Sequence, residues 1–263
     1  MAIEIHKTAI VDERARLGAG VKIGAFSIVG PDVELGEEVV VGDHVVVEGR
    51  TRIGAGTRLS PFAVIGGPPQ DLSYRDEETS VEIGERCLIR EQATVHRGTA
   101  RGRGVTRVGS NCFLMGGSHV AHDCEVGNNV ILVNHAALGG HVVVGDYAIF
   151  SGHSGAQQRS RIGPHVFIAA LSIVVTDVIP FAAAIGQRAE LAGLNIVGLK
   201  RRGFDRPTIH ALRAAYQAIF NGGGTLSERI DIVSTDFASV PAVMQIVEFI
   251  RAGGDRPLCK PRD

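Results

Sequence analysis

The chain has 263 residues with 27 basic against 28 acidic, so a formal charge of −1 at pH 7 gives no net pull toward nucleic acid or anionic membranes. Its 44% hydrophobic content excludes disorder, while 34 Gly, no Trp and 5% aromatics require a core of Val, Ile and Leu on a backbone that turns often. No stretch reaches the ~18 apolar residues of a membrane span and MAIEIHKTAI lacks a signal-peptide pattern, so the expectation is a cytosolic protein. Its four cysteines, without a C-x-x-C pair, read as reduced thiols.

Taken in chain order, every sixth residue from Ile5 is apolar through Val11, Leu17, Ile23 and onward to Ile65, and a second series runs from Val108 to Val174 without a miss. At this composition the second series would arise by chance roughly once in ten thousand trials. Two residues before each aliphatic sits a small or β-branched residue, among them Cys112, Ser118, Cys124 and Ala136, which makes a second inward slot. Gly often follows the aliphatic, as in Ile53-Gly54 and Val144-Gly145, where a corner is expected to need a permissive backbone. Hexads of this kind signal a parallel β-helix, three hexads to a triangular coil of 18 residues.

The period breaks twice, at loops 67–80 and 98–106, both polar or Gly-rich. After Pro180 it disappears. A helix is expected from Pro207 to Phe220, a capping box at Thr225–Glu228, and a further helix from Pro241 to Arg251, with the last residues, GGDRPLCKPRD, frayed. The division is thus a β-solenoid over 1–186 and a small α-helical region over 187–263.

Residues 18 apart fall in one column, with coils ~4.8 Å apart. His122 then lies beneath Gly140 and Gln158, and Asp123 beneath His141 and Arg159, in phases expected to face outward. His119, His122, Asp123 and His141 form a titratable cluster suited to general-base work. The bland reading is that corners favour polar residues, since His44, His135, His153 and His165 share the phase of His141. Ser118 falls in the inward series and is no nucleophile. The run Lys200-Arg201-Arg202 with Arg206 and Arg213 suits phosphates or an acidic protein, or is a solvated surface.

The hexad array, together with QDLSY at 70–74, RE-x-x-T-x-HRGT at 90–99, SHVAHDC at 118–124, LGGHV at 138–142 and GLNIVGLKRRGF at 193–204, resembles the acyl-[acyl-carrier-protein]–UDP-N-acetylglucosamine O-acyltransferase family over nearly the whole chain. The resemblance implies a left-handed β-helix, a homotrimer with active sites between subunits, and the first step of lipid A synthesis. It implies His122 as general base toward the glucosamine 3-hydroxyl, Asp123 as its orienter, and the Gly140 amide as oxyanion donor. Gln70, Asp71, His119, His141, Gln157 and Gln158 match sugar and acyl positions, Ala170 the position that limits acyl-chain length, and Asn195, Arg201 and Arg202 the acyl and diphosphate end. No metal or resident cofactor is implied; the donor, acyl carrier protein, brings its own 4′-phosphopantetheine. Three positions depart from the family pattern: Ser73 stands for a Lys, Gln157 for a His and Val197 for a Glu.

Other readings stay open at this stage. A γ-type carbonic anhydrase would hold zinc with His119, His122 and His141, although its ligands are five apart where the spacing here is three, and it lacks the KRRGF tail. A hexapeptide acyltransferase could use a UDP-3-amino sugar or coenzyme A instead. A non-catalytic solenoid would serve only as an assembly surface.

Overall fold

The computed structural model of the chain describes residues 2–262, which form a left-handed parallel β-helix followed by four helices. Its strands are mostly two residues long and stack in register into three faces of 11, 9 and 8 strands among the described residues. On the second face Val120 pairs with Leu138, Leu138 with Ala156, and Ala156 with Val174, so the columns read from the period are the ladders of the sheet. The aliphatics and the small slot (Cys112, Ser118, Cys124, Ala136) are buried along the prism axis. Each full-sized aliphatic withdrawn from water there is worth about 1.5–3 kcal/mol. Among the described residues no coil covers the first one, and Ile5, in phase with the core, is 48% exposed.

The corners correct one expectation. Glycines after the aliphatic do not carry the unusual torsion; they are required by the close approach of the next coil, where a Cβ on Gly54 would lie 2.6 Å from the Gly84 carbonyl carbon. The left-handed torsion falls two residues later, and from Asn111 to Leu171 every sixth residue has a φ of 55–68°. Asn, Asp and His tolerate that region better than most L-residues. This accounts for His135, His141, His153 and His165 in one phase without any appeal to chemistry.

The segment between the strands Val64–Gly67 and Ser80–Ile83 and the segment between Thr94–His96 and Val105–Val108 leave the coil as loops, matching the two breaks in the period. The stack ends where strand Ala182–Ile185 turns back antiparallel against Glu190–Leu194. Four helices follow: α1 Ile196–Arg201, α2 Arg206–Asn221, α3 Leu226–Asp236 and α4 Pro241–Arg251. α2 and α4 match their expected spans, and the capping box of Thr225 and Glu228 is formed. Helix α1, too short to show a period, was not foreseen. Over residues 253–262 the tail is not frayed, Asp263 lying outside the described residues: Asp177 N–H donates to the Pro257 carbonyl, Cys259 N–H to the Asp177 carbonyl and Leu191 N–H to the Lys260 carbonyl. Buried Asp177 also accepts from Arg161 Nε at 2.7 Å. Backbone pairing with the last coil supplies the order that composition alone did not suggest.

Candidate active site at the second corner

The faces meet at three corners, and the cluster of interest occupies the second, between strands such as His119–Val120 and Glu125–Val126. Asp123 holds the left-handed torsion there, with φ 60°, and His122 precedes it. The corresponding place at other corners holds Ser110, Gly116, Asn128, Asn134, Gly140 or Gly152, never another histidine. His122 is therefore not explained by the corner torsion, whereas His141, with φ 62°, is.

Both side chains leave the coil as expected, yet they do not face solvent: His122 is 8% exposed and Asp123 0%. The second loop folds over them. Thr99 donates to the Asp123 carboxylate through Oγ1 (2.7 Å) and through its backbone N–H (3.1 Å), and Gly104 N–H donates at 3.1 Å. Arg103 Nη1 donates to the Asp123 carbonyl, Thr106 Oγ1 accepts from the Asp123 N–H, and Gly102 lies against the carboxylate where no side chain would fit. Burial alone would push the Asp123 carboxyl up; hydrogen bonds from His122 and Thr99 outweigh it and hold it at about 2. The carboxylate stays ionised.

His122 Nδ1 lies 2.9 Å from Asp123 Oδ2. An ionised carboxylate only accepts, so Nδ1 carries the proton and Nε2 is left as the base. The His141 ring stands edge-on to His122 with centroids 5.1 Å apart, and its Nε2 is 3.8 Å from Asp123 Oδ2. Burial lowers the pKa of His141, opposed by the charge of Asp123.

Gly140 sits one coil above His122, where a Cβ would come within 2.5 Å of the imidazole. At the third corner the equivalent amides of Ser110 and Asn128 are taken by the side chains of Asn128 and Asp146 one coil on. The coil above Gly140 offers Gln158 instead, and the Gly140 N–H has no protein partner among the described residues. A free amide thus lies beside a free imidazole nitrogen.

An open groove of ≈ 710 Å³ runs from this point along the second face, lined by Gln70, His119, His122, Gly140, Gln157 and Gln158 with the apolar side chains Ala137, Ile173 and Val175. Asp71 accepts from Ser73 N–H and Oγ at 2.8 Å each, and these bonds, the backbone one foremost, hold its carboxyl below the usual range. Ser73, at a departure from the family pattern, thereby fixes the neighbouring acid. His119 Nδ1 is 2.7 Å from Thr94 Oγ1 and its ring meets His96 at 4.9 Å; burial lowers its pKa, helped by His122.

Not every expected residue is brought here. Ala170 lies exposed at the first corner, outside the residues that line the groove. Asn195, Arg201 and Arg202 line a separate apolar cleft of ≈ 520 Å³ on the first face, with Phe167 and Val197. There Asn195 caps α1, accepting from Gly198 N–H and donating to the His165 carbonyl, and Arg202 donates to the Tyr147 carbonyl while lying over its ring. The all-histidine zinc set is not assembled either, since among the described residues the close group is His122, Asp123 and His141, with donor atoms within 4.8 Å. The oxygens of Asp123 in that group are already taken by Thr99, Gly104 and His122. Thr99, Gly102 and Gly104 are the site residues that sequence reasoning missed. Thr99 closes the HRGT motif without a role assigned to it, and the only sequence signal for Gly102 and Gly104 was the glycine-dense break in the period.

Comparison with known proteins agrees along the whole chain. Residues 177–259 match the second-domain model of UDP N-acetylglucosamine O-acyltransferase, and residues 14–49 and 106–140 the bacterial transferase hexapeptide model. The acyl-[acyl-carrier-protein]–UDP-N-acetylglucosamine O-acyltransferase of Caulobacter vibrioides is 52% identical over 98% of both chains. That of Azorhizobium caulinodans is 50% identical over 98% of this chain and 95% of its own. Among solved structures, LpxA from Acinetobacter baumannii superposes with a TM-score of 0.94 at 38% identity, covering 97% of this chain and 99% of that one. The Francisella novicida UDP-N-acetylglucosamine acyltransferase gives 0.95 at 33% identity, covering 98% and 95%.

Proposed function

The chain belongs to the acyl-[acyl-carrier-protein]–UDP-N-acetylglucosamine O-acyltransferase family, and from that premise we propose that it moves an (R)-3-hydroxyacyl group from acyl carrier protein to the 3-hydroxyl of UDP-N-acetylglucosamine, the first step of lipid A synthesis. The observation that carries the mechanism is the His122–Asp123 pair, buried beneath the second loop with Nε2 left free. His122 Nε2 takes the hydroxyl proton as the oxygen attacks the thioester carbonyl. The Gly140 amide donates to the oxyanion that develops, and the departing pantetheine sulfur recovers the proton from the imidazolium. Gln70, Asp71, His119, His141, Gln157 and Gln158 hold the sugar and acyl groups around that point. A base contributes ~10²–10⁴ in rate and a preorganised donor ~10²–10³, so the chain's own residues supply substantial acceleration without a metal.

Asn195, Arg201, Arg202 and Ala170 complete the site from a second copy in a homotrimer. Their position away from the His122 groove supports this, because within one chain the two groups of residues do not meet. Among the described residues no helix is long and apolar enough to cross a membrane, which suits an enzyme whose carrier and nucleotide substrates are cytosolic.

The test is a mass-spectrometric assay with UDP-N-acetylglucosamine and 3-hydroxyacyl carriers of several chain lengths, run on the native chain and on His122→Ala. The expected result is a product heavier by one hydroxyacyl group and a loss of two or more orders of magnitude in the variant, which keeps the native oligomeric mass. Full turnover in His122→Ala would remove the base from the mechanism. Product with only a UDP-3-amino sugar or only coenzyme A donors would replace the acceptor or the donor.

A further inference from the structure

On the far side of His141 from the groove, the second loop, the third face and the C-terminal tail enclose another cleft of ≈ 410 Å³. Arg101, Arg103, Arg159 and Arg161 line it, with Asp255 as the single acid among its lining residues. None of these residues has a role in the mechanism above.

The excess of positive charge is local. Lower on the same face the outward column alternates in sign, Arg16, Glu34, Arg52, Glu82, Arg107, Glu125, each in register with the next. Arg16 and Arg52 both reach Glu34, at 2.9 and 3.2 Å, and Arg107 reaches Glu82 at 2.8 Å. That ladder neutralises itself. Above Glu125 the column continues as Val143 and then Arg161, so the alternation ends where the cleft begins.

Two of the four guanidiniums are fixed in advance. Arg161 is held by Asp177 at 2.7 Å and lies over the Phe249 ring at 4.4 Å, and Arg103 is held by the Asp123 carbonyl at 2.7 Å and by Glu125 at 3.2 Å. The other two are available. Arg159 holds only the exposed Asp255, at 3.0 Å, a surface pair of little worth, and Arg101 has no hydrogen-bond or ion-pair partner among the described residues. Fixed and free guanidiniums around one concavity form a receptor for an anion with several oxygens and more than one charge. The volume falls in the range of small-molecule sites and leaves room for the rest of a substrate around the anion.

We propose that this arginine cleft binds a phosphate ester of a substrate beside the His122–Asp123 pair. The inference rests on the acyl-transfer reading for its source: Arg201 and Arg202 already match the diphosphate end of the sugar nucleotide, which leaves the phosphodiester of the carrier's pantetheine arm for this cleft. Arg103 and His141 line the cleft while touching or facing Asp123, so an anion held there sits against the walls of the reaction site. This site is separate from the Arg201 and Arg202 cleft on the first face.

The experiment has a binding arm and a kinetic arm. In the first, inorganic pyrophosphate is titrated calorimetrically into the native protein, Arg101→Gln, and Arg101→Gln/Arg159→Gln. The expected result is affinity weakened about tenfold or more in the double variant, the scale of one charge-assisted hydrogen bond, and weakened less in the single one. Arg101 is exposed and unpartnered, so its variant is not expected to disturb the fold, and equal thermal midpoints would check this. In the kinetic arm, a raised KM for the acyl carrier with kcat retained assigns the cleft to the pantetheine phosphodiester, and a raised KM for the sugar nucleotide alone overturns that assignment. Unchanged pyrophosphate affinity in the double variant, or an unchanged KM for the acyl carrier, overturns the proposal. The titration decides on the site even if the native protein transfers no acyl group, so the two readings fail separately.

Discussion

The first and second corners of this solenoid share a backbone and differ in chemistry. His44, His135 and His153 at the first corner and Asp123 and His141 at the second all hold the same left-handed torsion. At the first corner the rings stay exposed and stack on one another, His44 between Phe26 and Phe62 at 5.1 and 5.0 Å and His135 on His153 at 4.9 Å. At the second, an inserted loop brings Thr99 and Gly104 over Asp123 and shuts out water. The repeat selects residue types that tolerate the torsion; the site arises where an insertion adds donors and burial. A polar column in a solenoid is therefore not itself a functional signal, but a polar column beneath an insertion is.

The sharpest way to break this comparison is to add one methyl group at each corner. A Cβ at Gly140 lands 2.5 Å from the His122 ring, while at Gly152, on the first corner, the nearest atom is 3.7 Å away. Gly140→Ala should displace the base and the neighbouring amide together and lower kcat by about two orders of magnitude or more, the scale set by loss of either group. Gly152→Ala should leave kcat within about twofold and stability within about 0.5 kcal/mol. Steady-state rates and thermal midpoints on both variants check it; equal activity would mean that His122 does not need its position.

A smaller effect is expected from the donor that the loop supplies. Thr99→Val keeps the shape and removes one hydrogen bond to a fully buried carboxylate, while Thr99→Ser keeps the hydroxyl. A buried acceptor left one donor short costs about 1–3 kcal/mol. The Val variant should lose roughly tenfold in kcat with little change in KM, and the Ser variant should recover most of it. The sign of the acid response follows from the depressed pKa of Asp123, which hydrogen bonds hold at about 2 against burial. Its stabilisation is fully present above the unfolded value of about 3.9 and is lost as pH falls toward 2. In Thr99→Val the folded pKa of Asp123 rises toward the unfolded value, so the loss still begins near about 3.9 but ends at higher pH and is smaller, which stability measured across an acid titration checks. A normal kcat in the Val variant would make the loop a cover and nothing more.

The same comparison explains what could be read from the sequence. The coil, its faces and the column of His122 beneath Gly140 were legible because a period of six makes distance along the chain equivalent to position in the stack. Burial of the pair was not legible, because it depends on where a loop without periodicity lands, and Thr99 lies 24 residues from Asp123. The tail was misjudged for a related reason: its Gly, Pro and charged residues read as loose, yet Cys259 and Leu258 complete backbone pairing with Asp177 at the top of the stack. Asn195 shows a third limit. Its motif marks it as a site residue, while the local geometry spends both ends of its amide on α1 and on the His165 carbonyl.

The mildest test compares a covered corner histidine with a bare one. His165, at the third corner, is stacked between Tyr147 and Phe181 at 5.0 and 5.4 Å with Phe204 edge-on, and its Nδ1 is buried without a partner. Burial, with the charge of Arg202 beside it, lowers its pKa to about 4. As pH falls below about 6.5 the unfolded chain takes up a proton that the folded chain refuses, so stability declines from there down to about 4 and then levels. His96, lowered to about 4 mainly by burial, adds to the same slope. His165→Phe keeps the aromatic stack and should remove part of the decline in thermal midpoint between pH 7 and 4. His135→Ala, at the exposed first corner, should shift stability by no more than about 0.5 kcal/mol at pH 7. Equal slopes in His165→Phe and the native chain would mean that His165 takes up its proton in the folded state, and that cover over its corner does not keep the ring neutral.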